Sequence, residues 1–283
     1  MKYGLVLEGG AMRGMFTCGV LDVLMENGIS FDGVVGVSAG AAFGCNYKSA
    51  QPGRAVRYNL RFCKDKRYCS LRSLITTGDM FGAKFCYHTV PNKLDIFDGE
   101  TFAASPVDFY VVCTDVETGK GVYHKCKTAE YDELEWIRAS ASMPLASRIV
   151  EVGGRKLLDG GIADSIPLQF MEKTGYERNV VILTQPRDFR KKQSRILRPL
   201  RAAMGKKYPD FVKAFEERPK MYNSELKYVR NAEKDGRALV IAPDEKLPIG
   251  HIEHDPDVLL EVYRIGRNTA REHLEEIKRF TDR

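Results

Sequence analysis

The stretch Phe31–Gly44, FDGVVGVSAGAAFG, decides how this chain is read. Its apolar run Val34–Val37 enters Ser38, and the small residues Ala39–Gly44 leave it. That is the pattern of a strand turning sharply into a helix, with serine at the corner. Gly36 and Gly40 flank the serine and give the turn room for close backbone approach. The chemical reading is a nucleophilic serine within GxSxG. The structural reading is a tight strand–helix turn that happens to contain serine. A bare GxSxG also arises by chance, so its surroundings decide between them.

Upstream, Tyr3–Leu7 (YGLVL) reads as a short buried strand. The loop Glu8-Gly9-Gly10-Ala11-Met12-Arg13-Gly14 follows. Next comes a helix over about 15–26, with Phe16, Val20, Val23 and Leu24 on one face and a stop at Asn27-Gly28. The opening forty residues are therefore one β-α-β unit, whose strands are parallel and whose loops open at the same end of the sheet. This sets Ser38 beside the Gly9–Gly14 loop. Acyl transfer needs a nucleophile and N–H donors for the developing oxyanion. Gly9, Gly10 and Ala11 supply main-chain N–H groups, and Arg13 fixes the loop or adds positive charge. The rival is a nucleotide-binding protein using the same loop. It fits less well, because its third key position is Ala11 rather than glycine and Asp32 precedes the second strand instead of ending it.

Downstream, Val107–Cys113 and Gly121–Lys125 read as a hairpin, and 130–139 as a helix. The small-residue segment Ala139–Pro144 suggests a tightly packed helix end. A second hairpin, Ile149–Val152 with Lys156–Leu158, delivers Asp159-Gly160-Gly161 at a strand end. Asp159 is the second chemical candidate, and an Asx-turn aspartate is its structural alternative. Helices over 164–174 and 257–280 and strands over 179–183 and 237–242 complete the pattern. Residues 45–100 show a helix over 54–66 and no defensible chemistry. Strands alternating with helices predict an α/β fold, a three-layer α/β/α arrangement with a mostly parallel central sheet. One domain over 1–283 is expected, with a basic surface insertion at about 187–230.

Composition narrows the classes. The chain has 283 residues, 43% of them hydrophobic, and carries a net charge of +6. Residues 187–230 hold fourteen Lys/Arg against five Asp/Glu, so the basic character belongs to this segment alone. Within Arg187–Lys207, Ile196, Leu197, Leu200 and Met204 share a helical face, kinked at Pro199. The interleaved apolar residues favour peripheral contact with an anionic membrane over nucleic acid, for which no recognised module is present. No apolar run is long enough to span a bilayer, and MKYGLVLEGG does not read as a signal peptide. A cytoplasmic location is expected, with peripheral contact at the inner membrane surface. Seven scattered cysteines without a CxxC pair indicate free thiols rather than a metal centre, and no cofactor is expected.

A Ser-His-Asp triad fits poorly. Ser38 follows a single βα unit, and the histidines after Asp159, namely His251, His254 and His273, lie far along the chain in charged or helical surroundings. A dyad in which Asp159 takes the proton from Ser38 is more economical. It requires a dry site that raises the Asp159 pKa from about 3.9 and a strong oxyanion hole.

At this point the chain resembles the patatin-like phospholipase family, especially its small bacterial members. Glu8–Gly14 corresponds to the family's glycine-rich oxyanion loop, Gly36–Gly40 to its nucleophile motif and Asp159–Gly161 to its DGG motif. Ala139-Ser140 or Ala141-Ser142 before Pro144 matches a softer ASxxxP segment. Glu8 replaces the usual aspartate and Ala11 a glycine, without loss of an N–H donor. The resemblance implies a metal-free lipid acyl hydrolase cleaving fatty-acyl esters of phospholipids or lysophospholipids through an acyl-enzyme. Ser38 would be its nucleophile and Asp159 its base, with Gly9, Gly10, Ala11 and Arg13 around the oxyanion. A catalytically weak lipid-binding protein is the alternative within the same fold.

Overall fold

In the computed structural model, which describes residues 1–282, an eight-stranded sheet carries helices on both faces. The strands β1 (Tyr3–Leu7), β2 (Gly33–Val37), β3 (Asp108–Asp115), β7 (Arg178–Ile182) and β8 (Ala238–Ile241) run parallel in the order β3-β2-β1-β7-β8. The hairpin partner β4 (Gly121–Cys126) and the pair β5 (Val150–Val152) and β6 (Arg155–Asp159) are antiparallel additions around β3. Every residue of β1 and β2 is buried, as expected of strands covered on both faces.

Strand alternation divides the core. Leu5, Leu7, Val34 and Val111 face one side, where α1 (Gly14–Glu26), α2 (Ala39–Lys48), α6 (Tyr131–Ser140) and α10 (Pro256–Glu272) pack. Val6, Val35, Val37 and Val112 face the other, covered by α7 (Leu168–Lys173) and α9 (Pro209–Lys234). The α/β/α layering and mostly parallel sheet expected from the alternation of strands and helices are therefore present.

Some element boundaries differ from the sequence expectations. The closing helix breaks at His273 into α10 and α11 (Leu274–Thr281). The helix expected from 164 starts only at Leu168, because Gly160–Ile162 form a 3-10 turn and Ser165 and Ile166 donate their N–H groups to Glu225. Residues 45–100 form α3 (Arg54–Phe62), α4 (Leu71–Thr77), a π-helical segment Phe85–Leu94 and α5 (Gly99–Ala104).

The basic segment also departs from a surface insertion. It contains α8 (Leu197–Met204) and most of α9, and Tyr222, Leu226 and Val229 of α9 form part of the second core face. Pro199 lies in the first turn of α8, where a missing N–H costs no hydrogen bond. Ile196, Leu197, Leu200 and Met204 pack on Leu158, Ile162, Phe211 and Phe215. The apolar stripe is thus used internally, and the side chains of Arg190, Lys192, Arg195 and Arg198 are left exposed. No helix among the described residues is long and apolar enough to cross a membrane.

Candidate active site

Strand register brings the two chemical candidates together. β4 lies along one edge of β3 from Phe109 to Thr114. The other edge is shared: β2 pairs with it as far as Val37–Val112, and β6 pairs with it from Asp159–Cys113. β2 and β6 therefore meet end to end, with Ser38 and Asp159 at the junction. The hairpin that ends in Asp159 approaches antiparallel, so its last residue arrives where β2 stops.

Ser38 occupies the strained corner between β2 and α2, at φ 54° and ψ −120°. Its N–H donates to Ser140 Oγ at 2.9 Å, and that hydroxyl donates to the Val112 carbonyl at 2.6 Å. The elbow's glycines are steric requirements. A Cβ on Gly40 would lie 2.4 Å from the Leu7 carbonyl oxygen, and one on Gly36 would lie 2.6 Å from the Ala41 backbone. The small-residue segment 139–144 thus acquires a purpose, since Ser140 ties the serine backbone to β3. Nearby, the Ser142 carbonyl accepts the Asp159 N–H at 2.8 Å.

Asp159 is 1% exposed. Its Oδ1 accepts the Gly161 N–H at 2.8 Å, so the Asx-turn reading and the chemical reading hold together. A Cβ on Gly160 would lie 2.0 Å from the Val112 carbonyl oxygen, which explains a glycine directly after the aspartate. Oδ2 is buried without a hydrogen-bond partner in the protein. Burial dominates and raises the carboxyl pKa above the ordinary value; Arg218, the Ser38 hydroxyl, the Gly161 N–H and Lys191 pull the other way. The serine hydroxyl is therefore within reach of the carboxylate, short of full hydrogen-bond geometry.

The glycine loop closes on this junction. A Cβ on Gly9 would lie 2.9 Å from Ser38 Cβ, and one on Gly10 would lie 2.6 Å from Thr184 Oγ1. Both positions therefore require glycine. Among the described residues, the N–H groups of Gly9, Gly10 and Ala11 donate to no protein acceptor. Ala11 holds φ 48° at the start of the 3-10 turn Ala11–Arg13. Glu8 anchors the loop from below: it accepts the Tyr222 hydroxyl and the Thr184 N–H, each at 2.6 Å. The extra methylene relative to the family's aspartate belongs to a side chain that spans β7's end and α9. Arg13 reaches His251, with Nη1 3.4 Å from Nε2.

A cavity of about 400 Å³ opens at Ser38, walled mainly by apolar side chains such as Phe43, Tyr58, Met80, Phe81, Leu134 and Met143. Most come from residues 45–100 and from the 143–147 segment, where the sequence offered no chemical pattern. Of the five histidines only His251 joins this site, lining the cavity. His88, His124 and His273 face Glu135, Glu133 and Glu276, and His254 faces the Cys63 carbonyl. Burial, then Arg13, Lys191 and Arg218, push His251 below the ordinary imidazole value. All seven cysteines are free. Away from Ser38, the donor atoms of His124, Cys126 and Glu133 lie within 4.8 Å of one another and are the one grouping among the described residues able to hold a metal ion.

Fold and site together define an α/β protein with a serine elbow, a facing buried carboxylate and an apolar cavity. Residues 5–171 match the patatin-like phospholipase family, and residues 208–282 match a domain of unknown function, DUF6363. The chain belongs to the patatin-like phospholipase family, a family of hydrolases. It is 31% identical over 202 residues to the uncharacterised Escherichia coli protein YjjU, covering 65% of this chain and 52% of that one. It is 30% identical over 190 residues to lysophospholipase nte1 of Aspergillus niger, covering 61% of this chain and 11% of that protein. The chain thus spans about half, or far less, of these relatives. Among solved structures it resembles VipD of Legionella pneumophila, with a TM-score of 0.49, 12% identity and coverage of 97% of this chain and 67% of that one.

Proposed function

We propose that this chain is a serine lipid acyl hydrolase that cleaves fatty-acyl esters of phospholipids or lysophospholipids through a Ser38–Asp159 dyad. The observation that carries this reading is the end-to-end meeting of β2 and β6, which brings Ser38, on the wall of an apolar cavity, to a buried aspartate whose Oδ2 has no protein partner. Ser38 Oγ attacks the ester carbonyl as its proton passes to Asp159. The oxyanion is held by N–H groups of Gly9, Gly10 and Ala11; one such donor is worth about 3 kcal/mol in comparable sites. The tetrahedral intermediate expels the alcohol, which takes the proton from Asp159. Water, deprotonated by the same carboxylate, then attacks the acyl-enzyme, and the fatty acid leaves as Ser38 recovers its proton.

The test is fatty-acid release from a panel of phosphatidylcholine, lysophosphatidylcholine, triacylglycerol and monoacylglycerol. Release from the phospholipids is expected; no release from any lipid by folded protein defeats the reading.

Peripheral contact with an anionic membrane is part of the same proposal. The exposed cations Arg190, Lys192, Arg195 and Arg198 supply charge, each worth about 1 kcal/mol near an anionic surface. Exposed Leu71 and Ile75 of α4, with Leu145 and Ile252 at the cavity, supply apolar contact. Flotation with anionic liposomes at low salt, lost at high salt, is expected; failure to float at low salt removes the docking proposal.

A further inference from the structure

Beside Ser38 lies a group of cations that the hydrolytic steps do not use. Arg13 comes from the glycine loop, Lys191 from the irregular segment before α8, and Arg218 from α9. Lys191 and Arg218 lie beyond the residues that match the phospholipase family. Each is held in place. Asn223 clamps the Lys191 main chain in both directions, accepting its N–H at 2.9 Å and donating to its carbonyl at 3.1 Å. The Lys191 ammonium stands 4.2 Å from the centre of the Tyr222 ring, whose hydroxyl is bound to Glu8. Arg218 Nε donates to the Gly161 carbonyl at 2.6 Å, which leaves its terminal nitrogens beside the Asp159 turn.

The charges around this point do not balance within the protein. Arg13, Lys191 and Arg218 form no ion pair among the described residues, and Arg13 Nε is buried without a partner. Two carboxylates lie near them. Glu8 is occupied by Tyr222 and Thr184, and Asp159 faces the serine. Burial first, then Arg218, drives the Lys191 ammonium down to about 8, with Arg13 adding to the effect and Glu8 and Asp159 opposing it. His251 is held low partly by the same three cations. An oxyanion placed among these groups would relieve their mutual repulsion, and a guanidinium is suited to bind phosphate oxygens in pairs.

We propose that Lys191, Arg218 and Arg13 bind the phosphate of a lipid whose phosphodiester lies a few bonds from the scissile ester. This rests on the acyl-hydrolase reading of Ser38. The cavity belongs to the sheet face carrying α2, α3 and α6, whereas Lys191 and Arg218 sit with α9 on the opposite face. An acyl chain in the cavity and a phosphate on the α9 side place the ester at the junction where Ser38, Asp159 and Gly9–Ala11 meet. A phosphodiester carries one negative charge, and three cations against two carboxylates leave one positive charge to meet it. Lys191 and Arg218 are then specificity-determining residues that favour a phospholipid ester over a neutral one.

The test compares kcat/KM for 1-oleoyl-lysophosphatidylcholine and 1-monooleoylglycerol, which share an acyl chain and differ in the phosphate. The ratio in favour of the lysophospholipid is expected to fall about tenfold or more in Lys191→Met and to recover in Lys191→Arg. An unchanged ratio in folded Lys191→Met overturns the proposal. Calorimetry with Ser38→Ala protein supplies a second readout that is independent of turnover. Glycerophosphocholine is expected to bind, and to lose binding when Lys191→Met is added. Binding of inorganic phosphate as tight as that of glycerophosphocholine would assign the site to free phosphate and overturn the head-group assignment. If the wild type releases no fatty acid from any lipid, the hydrolase reading fails, and calorimetry alone still decides whether these cations hold phosphate.

Discussion

Replacing Ser38 by alanine is expected to lower fatty-acid release by about a million-fold, the scale on which loss of a serine nucleophile acts, and to abolish labelling by a fluorophosphonate. Only the hydroxyl is lost, since Cβ stays and the backbone bond from the N–H to Ser140 Oγ remains. The elbow conformation also remains, because Gly36 and Gly40 still permit it. A second variant separates chemistry from stability. At φ 54° and ψ −120° a residue with a Cβ carries strain on the order of 1–3 kcal/mol. Ser38→Gly should therefore be as inactive as Ser38→Ala, yet unfold a few degrees higher than the wild type. Persistent labelling in Ser38→Ala would move the nucleophile elsewhere, and a lower melting temperature in Ser38→Gly would contradict the strain assigned to the elbow.

Asp159→Asn is expected to reduce turnover by about 10,000-fold, the upper range for a general base, while melting at or above the wild-type temperature at pH 7. The sign follows from burial. The folded-state pKa of Asp159 is raised above its unfolded value, near 3.9. Its contribution to stability is therefore fully present below the unfolded pKa and is lost as pH rises through the folded pKa. At neutral pH the native enzyme tolerates a buried carboxylate whose Oδ2 has no partner, and the amide removes that charge. Activity has the opposite slope, because the base works only when ionised. The acid limb of the wild-type kcat/KM profile should lie above the ordinary carboxylate range. Substantial turnover by Asp159→Asn, or an acid limb near 4, would argue against Asp159 as the base.

The parts of the site legible in the sequence are those where backbone geometry restricts residue choice within a few positions. Gly40 and Gly160 must be glycine because a Cβ would strike the Leu7 and Val112 carbonyls, so GxSxG and DGG appear as patterns. The β1–α1–β2 unit is likewise local, and its apolar runs predict two parallel strands with their loops at one end. The basic segment 187–230 was visible as charge, but its division of labour was not. Whether Leu200 faces lipid or Phe211 and Phe215 depends on what packs against α8. The cavity wall was equally silent, since Tyr58, Phe81 and Leu134 are ordinary apolar residues until α3, the β-bridge between Cys69 and Phe81, and α6 bring them around one serine.

By itself, then, the sequence determined the class of fold and singled out the serine and the aspartate as candidates, because strand alternation and glycine-demanding turns are written in neighbouring residues. The tertiary structure alone decided that these two side chains meet, since that depends on β6 taking over the β3 edge where β2 ends. It also decided what surrounds them. Lys191, Arg218 and His251 are separated from Ser38 by more than a hundred residues, and the charges of the two cations act on Asp159 and His251 through space, over distances that chain order does not record.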